Sequence, residues 1–110
     1  MASWMMAAAA AQADWPEFRG PTGDGHASAP DKMQGLPLEW SETRNVRWKT
    51  PIPHRGWSAP VVRDGQVWVT TATEAGHDLY AIGLDAETGE IRFNQLVFHV
   101  EQPEPLGNGA

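Results

Sequence analysis

Four histidines, His26, His54, His77 and His99, are the residues of this chain with the widest chemical reach, and they are scattered over its length. No two stand at i, i+2 or i, i+4, whereas zinc needs clustered His or carboxylate ligands within tetrahedral reach. Asp24, Asp31 and Glu87 do not form an evident carboxylate pair, so paired acid–base catalysis has no support either. The run GPTGDG (residues 20–25) has the glycines of a phosphate loop, but no Gly-Lys-Ser/Thr follows and no amphipathic helix opens after it. Turns need the same residues. No Gly-x-Ser-x-Gly occurs, and the absence of cysteine excludes disulfides, thiol catalysis and thiolate metal sites. No catalytic, cofactor-binding or metal-binding residue is assigned. One stretch stands apart, His54-Arg55-Gly56-Trp57-Ser58, from which Arg55 and Trp57 could reach a ligand; the plainer alternative makes Trp57 a filler between packed elements and Arg55 a solvated side chain.

What would position these residues is limited by size. A chain of 110 residues supports one small domain with a modest core. Its 14 acidic and 8 basic residues are evenly spread, and without a Lys/Arg cluster nucleic-acid binding is not expected. The first 13 residues, MASWMMAAAAAQA, are apolar and end in Ala11-Gln12-Ala13, a small-x-small cleavage signature. A signal-peptide remnant and a periplasmic or secreted protein are expected, although the basic n-region is missing. Nothing beyond residue 14 approaches the roughly 18 apolar residues of a membrane helix. A soluble mature part is expected.

Residues 14–45 are rich in Gly, Pro and Asp without period, and predict an irregular arm anchored by Trp15 and Phe18. In residues 46–50, Val46, Trp48 and Thr50 alternate with Arg47 and Lys49, which predicts a strand ended by Pro51 and Pro53. Four further strands follow: residues 58–63, 66–71, 78–84 and 90–98. Asp64-Gly65 between the first two is a hairpin signal, because both turn positions need positive φ. The third strand is apolar on both faces and must be covered on both. The fourth starts half polar. Residues 99–110 form an acidic, Pro-rich tail with nothing to pack.

The fold class expected is thus all-β, a four-stranded antiparallel meander with an additional N-terminal strand. Two heptads, ETRNVRW (residues 42–48) and ETGEIRF (residues 87–93), lie 45 positions apart and share Glu, Thr and Arg at matching places. A period of roughly 40–45 residues is the mark of β-propeller blades. The stretch LYAIGLDAETGEIRF resembles the blade motif of the PQQ-like (quinoprotein alcohol dehydrogenase-like) β-propellers, Ala-x-Asp-x-x-Thr-Gly-x-x-x-Trp. Leu79, Tyr80 and Ala81 match the third strand, Asp85 the turn acid, Thr88-Gly89 the turn and Phe93 the docking tryptophan. The chain departs from the motif by a longer link between Ala81 and Asp85, and by Phe93 in place of tryptophan. DWPEFRGPTGDG, LPLEWSE, NVRWKTPIP and RGWSAPVV are similar to the start of exported proteins of this kind.

The resemblance implies that residues 46–98 are a closing strand and a first blade, the strand completing the last blade of a ring. The chain is then the N-terminal fragment of a longer propeller, whose remaining blades are its first partners. It further implies one of two functions. The first is a non-enzymatic binding or scaffold protein, like the propeller lipoprotein of the outer-membrane β-barrel assembly machine. The second is a piece of a PQQ-dependent dehydrogenase, where PQQ and calcium enter only if the parent is a true quinoprotein. A lone meander of this kind is expected to self-associate, with Trp68, Tyr80 and Ile82 partly uncovered.

Overall fold

A computed structural model describes residues 14–26, 37–56 and 58–103. The expected signal segment, the end of the acidic tail and Trp57 lie outside the described residues. Four strands follow one another: β1 (Val61–Arg63), β2 (Gln66–Ala72), β3 (Asp78–Asp85) and β4 (Ile91–His99). They form one antiparallel sheet in the order β1-β2-β3-β4, and no helix occurs among the described residues. Each turn carries its reason in sequence. Asp64 and Gly65 both take positive φ, 49° and 74°, so the shortest link closes as the Asp-Gly pair requires. At the β3–β4 turn, Asp85 Oδ1 accepts the amides of Glu87 (2.8 Å) and Thr88 (3.1 Å), while Gly89 takes φ 72°.

The register divides the side chains between two faces, since residues directly opposite on paired strands point the same way. Thr71 lies opposite Tyr80, Val69 opposite Ile82 and Val67 opposite Leu84, which puts them on one face. Trp68, Gly83 and Phe93 line up across three strands on the other, with Ala72, Leu79 and Phe98. The first face holds the core: Ile82 is fully buried (0% exposed) and Leu84 nearly so. Its cover is a strap, residues 46–56, whose His54 ring stacks on Tyr80 at 4.4 Å. On the other face Trp68 lies over Gly83 and meets Phe93 at 5.5 Å between ring centroids.

Four expectations change. Residues 46–50 are not assigned as a strand, though they stay outside the ladder of the sheet as a closing strand would; it is their side chains that bond the sheet, at its β3–β4 turn. Phe18 does not anchor the arm, being 74% exposed, whereas Trp15 pairs with Val62 in both directions (2.7 and 2.8 Å) and so caps the edge of β1. Ile82 is not partly uncovered but fully buried, whereas Trp68 and Tyr80 are half-buried as expected; β4 adds the exposed apolar side chains Phe93, Leu96, Val97 and Phe98. The tail is joined to the sheet at its start, with His99 ending β4 and the Val100 amide donating to His77 O at 2.7 Å.

Candidate functional site

The strap is held at two places, and the first is the β3–β4 turn. Trp48 Nε1 donates to Ala86 O (2.9 Å), Thr50 Oγ1 donates to Gly89 O (2.6 Å), and Arg47 pairs with Glu87 (2.9 Å). The indole lies so close to Gly89 that a Cβ there would come within 2.5 Å of Trp48 Cδ2. The turn therefore needs glycine twice, for its positive φ and for this approach. Arg47–Glu87 joins the two heptads directly, so the first heptad is docked on the turn of the second. The exposed Lys49–Glu42 pair steadies the strand-like run beside it, with the small weight of a surface ion pair.

The second hold is on β2. Arg55 exchanges both backbone bonds with Ala72 (2.9 and 2.6 Å), and Ser58 Oγ accepts from Thr70 N (2.9 Å) while lying 3.2 Å from Thr70 O, to which it donates. Between the Arg55–Ala72 and Val61–Trp68 pairs the chain runs through five positions against three of β2, a surplus of two over a regular ladder. Gly56 passes so near the strand that a Cβ would stand 2.6 Å from Thr70 O. His54 takes φ 66°, rare for a residue with a side chain, and its ring contact with Tyr80 accompanies that turn.

A groove of about 410 Å³ opens beneath this arch, lined by Ile52, His54, Arg55, Ser58, Val69 and Thr71 among the described residues. Thr71 is 7% exposed and its hydroxyl has no hydrogen-bond partner. Its Oγ1 is closed off from solvent, and an unsatisfied buried hydroxyl costs about 1–3 kcal/mol. The Arg55 guanidinium, for which sequence offered either a ligand or a solvated place, pairs with Glu74 at 2.7 Å on the protein surface.

Comparison with protein-family models, with curated proteins and with solved structures finds no match to this chain.

The histidines are distributed differently from their spacing. His77 and His99 stack at 6.1 Å, with His99 Nδ1 2.6 Å from Asp78 Oδ1 and His77 Nδ1 2.8 Å from Val100 O. The register of a strand pair brings them together, and only a strand assignment extended by one residue at each end would have shown it. Among the described residues no group of three His, Cys, Asp or Glu side chains is arranged to hold a metal. His26 stays in the arm near Asp24, 3.4 Å away. The Thr22 hydroxyl and the His26 amide both bond Asp24, and they hold its carboxyl below the ordinary value. These are the bonds of a turn, and the run GPTGDG carries three positive-φ glycines at 20, 23 and 25.

Proposed function

We propose that the chain is a blade of a PQQ-like β-propeller that acts as a binding or scaffold protein in an exported setting, without redox chemistry of its own. The observation that carries this reading is the seat of Trp48 on the β3–β4 turn. An aromatic at the end of one heptad is bonded through Nε1 to Ala86 O and packed on Gly89, inside the other heptad. Repeats that stack side by side need such a contact between each unit and the next. Phe93 occupies the matching place in the second heptad and is 48% exposed, as an aromatic would be before the next blade meets it. In this reading residues 46–50 are the closing strand, and the ladder they lack belongs to the last blade of the ring.

Scaffold is favoured over dehydrogenase because a quinone site draws convergent polar groups from several blades, and one sheet offers a single groove wall. Two measurements test the proposal. Incubation with PQQ, calcium and an alcohol should give no dye reduction above buffer, and turnover would overthrow the scaffold assignment. Sedimentation should show association through the Phe93/Phe98 face; a compact monomer unfolding cooperatively at all concentrations would contradict the blade.

A further inference from the structure

The two outer edges of the sheet are closed in different ways. β4 is kinked by its own backbone: its register against β3 shifts between Leu79 and Tyr80 and again between Gly83 and Leu84, which leaves Val97 and Arg92 as extra residues. Bulges of this kind blunt an edge against a further strand. β1 pairs with β2 without a shift, and its guard is borrowed from residues 14–25. Both backbone groups of Val62 point away from β2 and exchange bonds with Trp15, and the Asp64 amide donates to Asp14 Oδ1 at 3.0 Å. Pro60, the next residue facing outward, has no N–H. Asp14 and Trp15 thus take every outward donor of residues 60–64. The segment that supplies them is organised around itself. Gly20 N donates to Glu17 O (2.9 Å), Gly23 N to Gly20 O (3.0 Å) and Gly25 N to Arg19 O (2.9 Å). The Trp15 ring lies so close to Gly20 that a Cβ there would come within 2.7 Å of it.

We propose that residues 14–25 form a plug that opens and closes as one unit and, while closed, keeps the β1 edge from pairing with the β1 edge of a second copy. An open edge offers the Val62 N–H and C=O and the Asp64 N–H. The β1 strand of another copy, antiparallel and centred on Val62, complements it. Val62 then faces Val62, Val61 faces Arg63, and Asp64 faces Pro60, whose carbonyl accepts and whose missing N–H leaves no donor over. No like charges stand opposite in that register. The plug is the weaker of the two guards, because the bulges of β4 are part of its ladder, whereas the hydrogen bonds of Val62 and Asp64 to the plug are each of small net worth. The inference does not rest on the propeller reading, since it concerns an edge of the sheet and not the Phe93/Phe98 face.

The test uses the full chain. Gly20→Ala sets a Cβ into the Trp15 ring on a backbone of φ 77° and leaves β1 itself unchanged. The amides of Val62 and Asp64 should then exchange about 10-fold faster, both by the same factor, while Ile82 keeps the parental rate. Asp14→Ala, which removes only a carboxylate acceptor, should quicken Val62 along with Asp64 by about 3-fold, because the plug moves as one. Sedimentation should show a self-associating species that grows with the open fraction. Val62→Pro added to Gly20→Ala removes the N–H at the centre of the pairing, keeps the β1–β2 bonds of Val61 and Arg63, and should restore parental sedimentation. Phe98→Ser added instead should leave the new species in place, which separates it from association through the Phe93/Phe98 face. Exchange at Val62 and Asp64 that stays parental or changes unequally in Gly20→Ala, or a Val62 amide unmoved by Asp14→Ala, would break the plug into independent contacts and overturn the proposal. Sedimentation unchanged by Gly20→Ala, a new species that survives Val62→Pro, or one that vanishes with Phe98→Ser would remove the second copy from this edge.

Discussion

The two faces of the sheet are built from equally apolar strands and have opposite fates. On the strap side, Ile82 and Leu84 are buried and Tyr80 half-buried beside a segment that arrives from roughly 30 positions earlier in the chain, a separation over which closure entropy grows slowly, and of the sheet's apolar side chains there only Leu96 at the β4 rim stays largely exposed. On the other side, Trp68 folds across Gly83 toward Phe93, and Phe98 is left 64% exposed. Composition does not separate the faces; the presence of a partner does. What the strap contributes is specific bonding at two fixed points, the β3–β4 turn and the edge of β2, and the open face has no such points.

The comparison breaks most directly at Gly89. Alanine there would place a Cβ 2.5 Å from the Trp48 indole on a backbone of φ 72°, so either the turn or the strap must move. Left-handed backbone costs an L-residue about 1–2 kcal/mol and overpacking about 1–3, giving roughly 3 kcal/mol for Gly89→Ala. Urea unfolding measures the loss, and amide exchange should show protection failing first at Tyr80 and Ile82. A loss under about 0.5 kcal/mol would mean that the strap does not depend on this contact and that the two faces differ for another reason.

Much of this arrangement was legible in the chain. Asp64-Gly65, the Asx-type turn of Asp85 and the order of four strands all follow from local rules, because turn chemistry and two-residue alternation act between near neighbours. Residues 46–50 were not legible in the same way. Alternation of Val46, Trp48 and Thr50 predicts a strand, yet a strand is defined by the neighbour it bonds, and Trp48 and Thr50 spend their side chains on Ala86 and Gly89 instead. Phe18 misled for a related reason, since an aromatic anchors only where a surface waits for it. Thr71 gave no signal at all: a threonine in a strand reads as ordinary until the register turns it under the strap. The shared heptad reads in sequence as parallel positions in a repeat, and gave no sign of the direct contact between Arg47 and Glu87.

A smaller change sharpens the same contrast. Trp48→Phe keeps a ring on Gly89 and removes the Nε1 bond to Ala86 O, so it should cost about 1 kcal/mol, the net worth of one hydrogen bond. The variant also turns the first heptad's aromatic into that of the second. If the substituted ring docks with most of the parental stability, Phe93 is a competent docking residue awaiting a surface. A loss near the 3–5 kcal/mol of deleting a large aromatic altogether would show that the ring alone cannot hold the strap.

The smallest effect concerns pH and separates the turn from the strap laid over it. Asp85 is held below the ordinary carboxylate value, first by the Glu87 amide, then by the Thr88 amide and more weakly by the charge of Arg92, 3.5 Å away. A carboxylate whose folded value is depressed contributes stability that is present in full above its unfolded value near 3.9 and is lost as pH falls through the lower, folded value. Between pH 7 and 5 the turn should therefore be indifferent to acid. Below about pH 4, protonation of Asp85 withdraws the charge that its two amides bond, and exchange at Glu87 and Thr88 should quicken before exchange at Ile82 does. Asp85→Asn keeps an oxygen acceptor and cannot titrate, so it should flatten the acid limb at Glu87 and Thr88 while leaving the strap's fluorescence from Trp48 as in the parent. If the acid limb survives in Asp85→Asn, the titrating group lies elsewhere and the turn does not owe its acid response to Asp85.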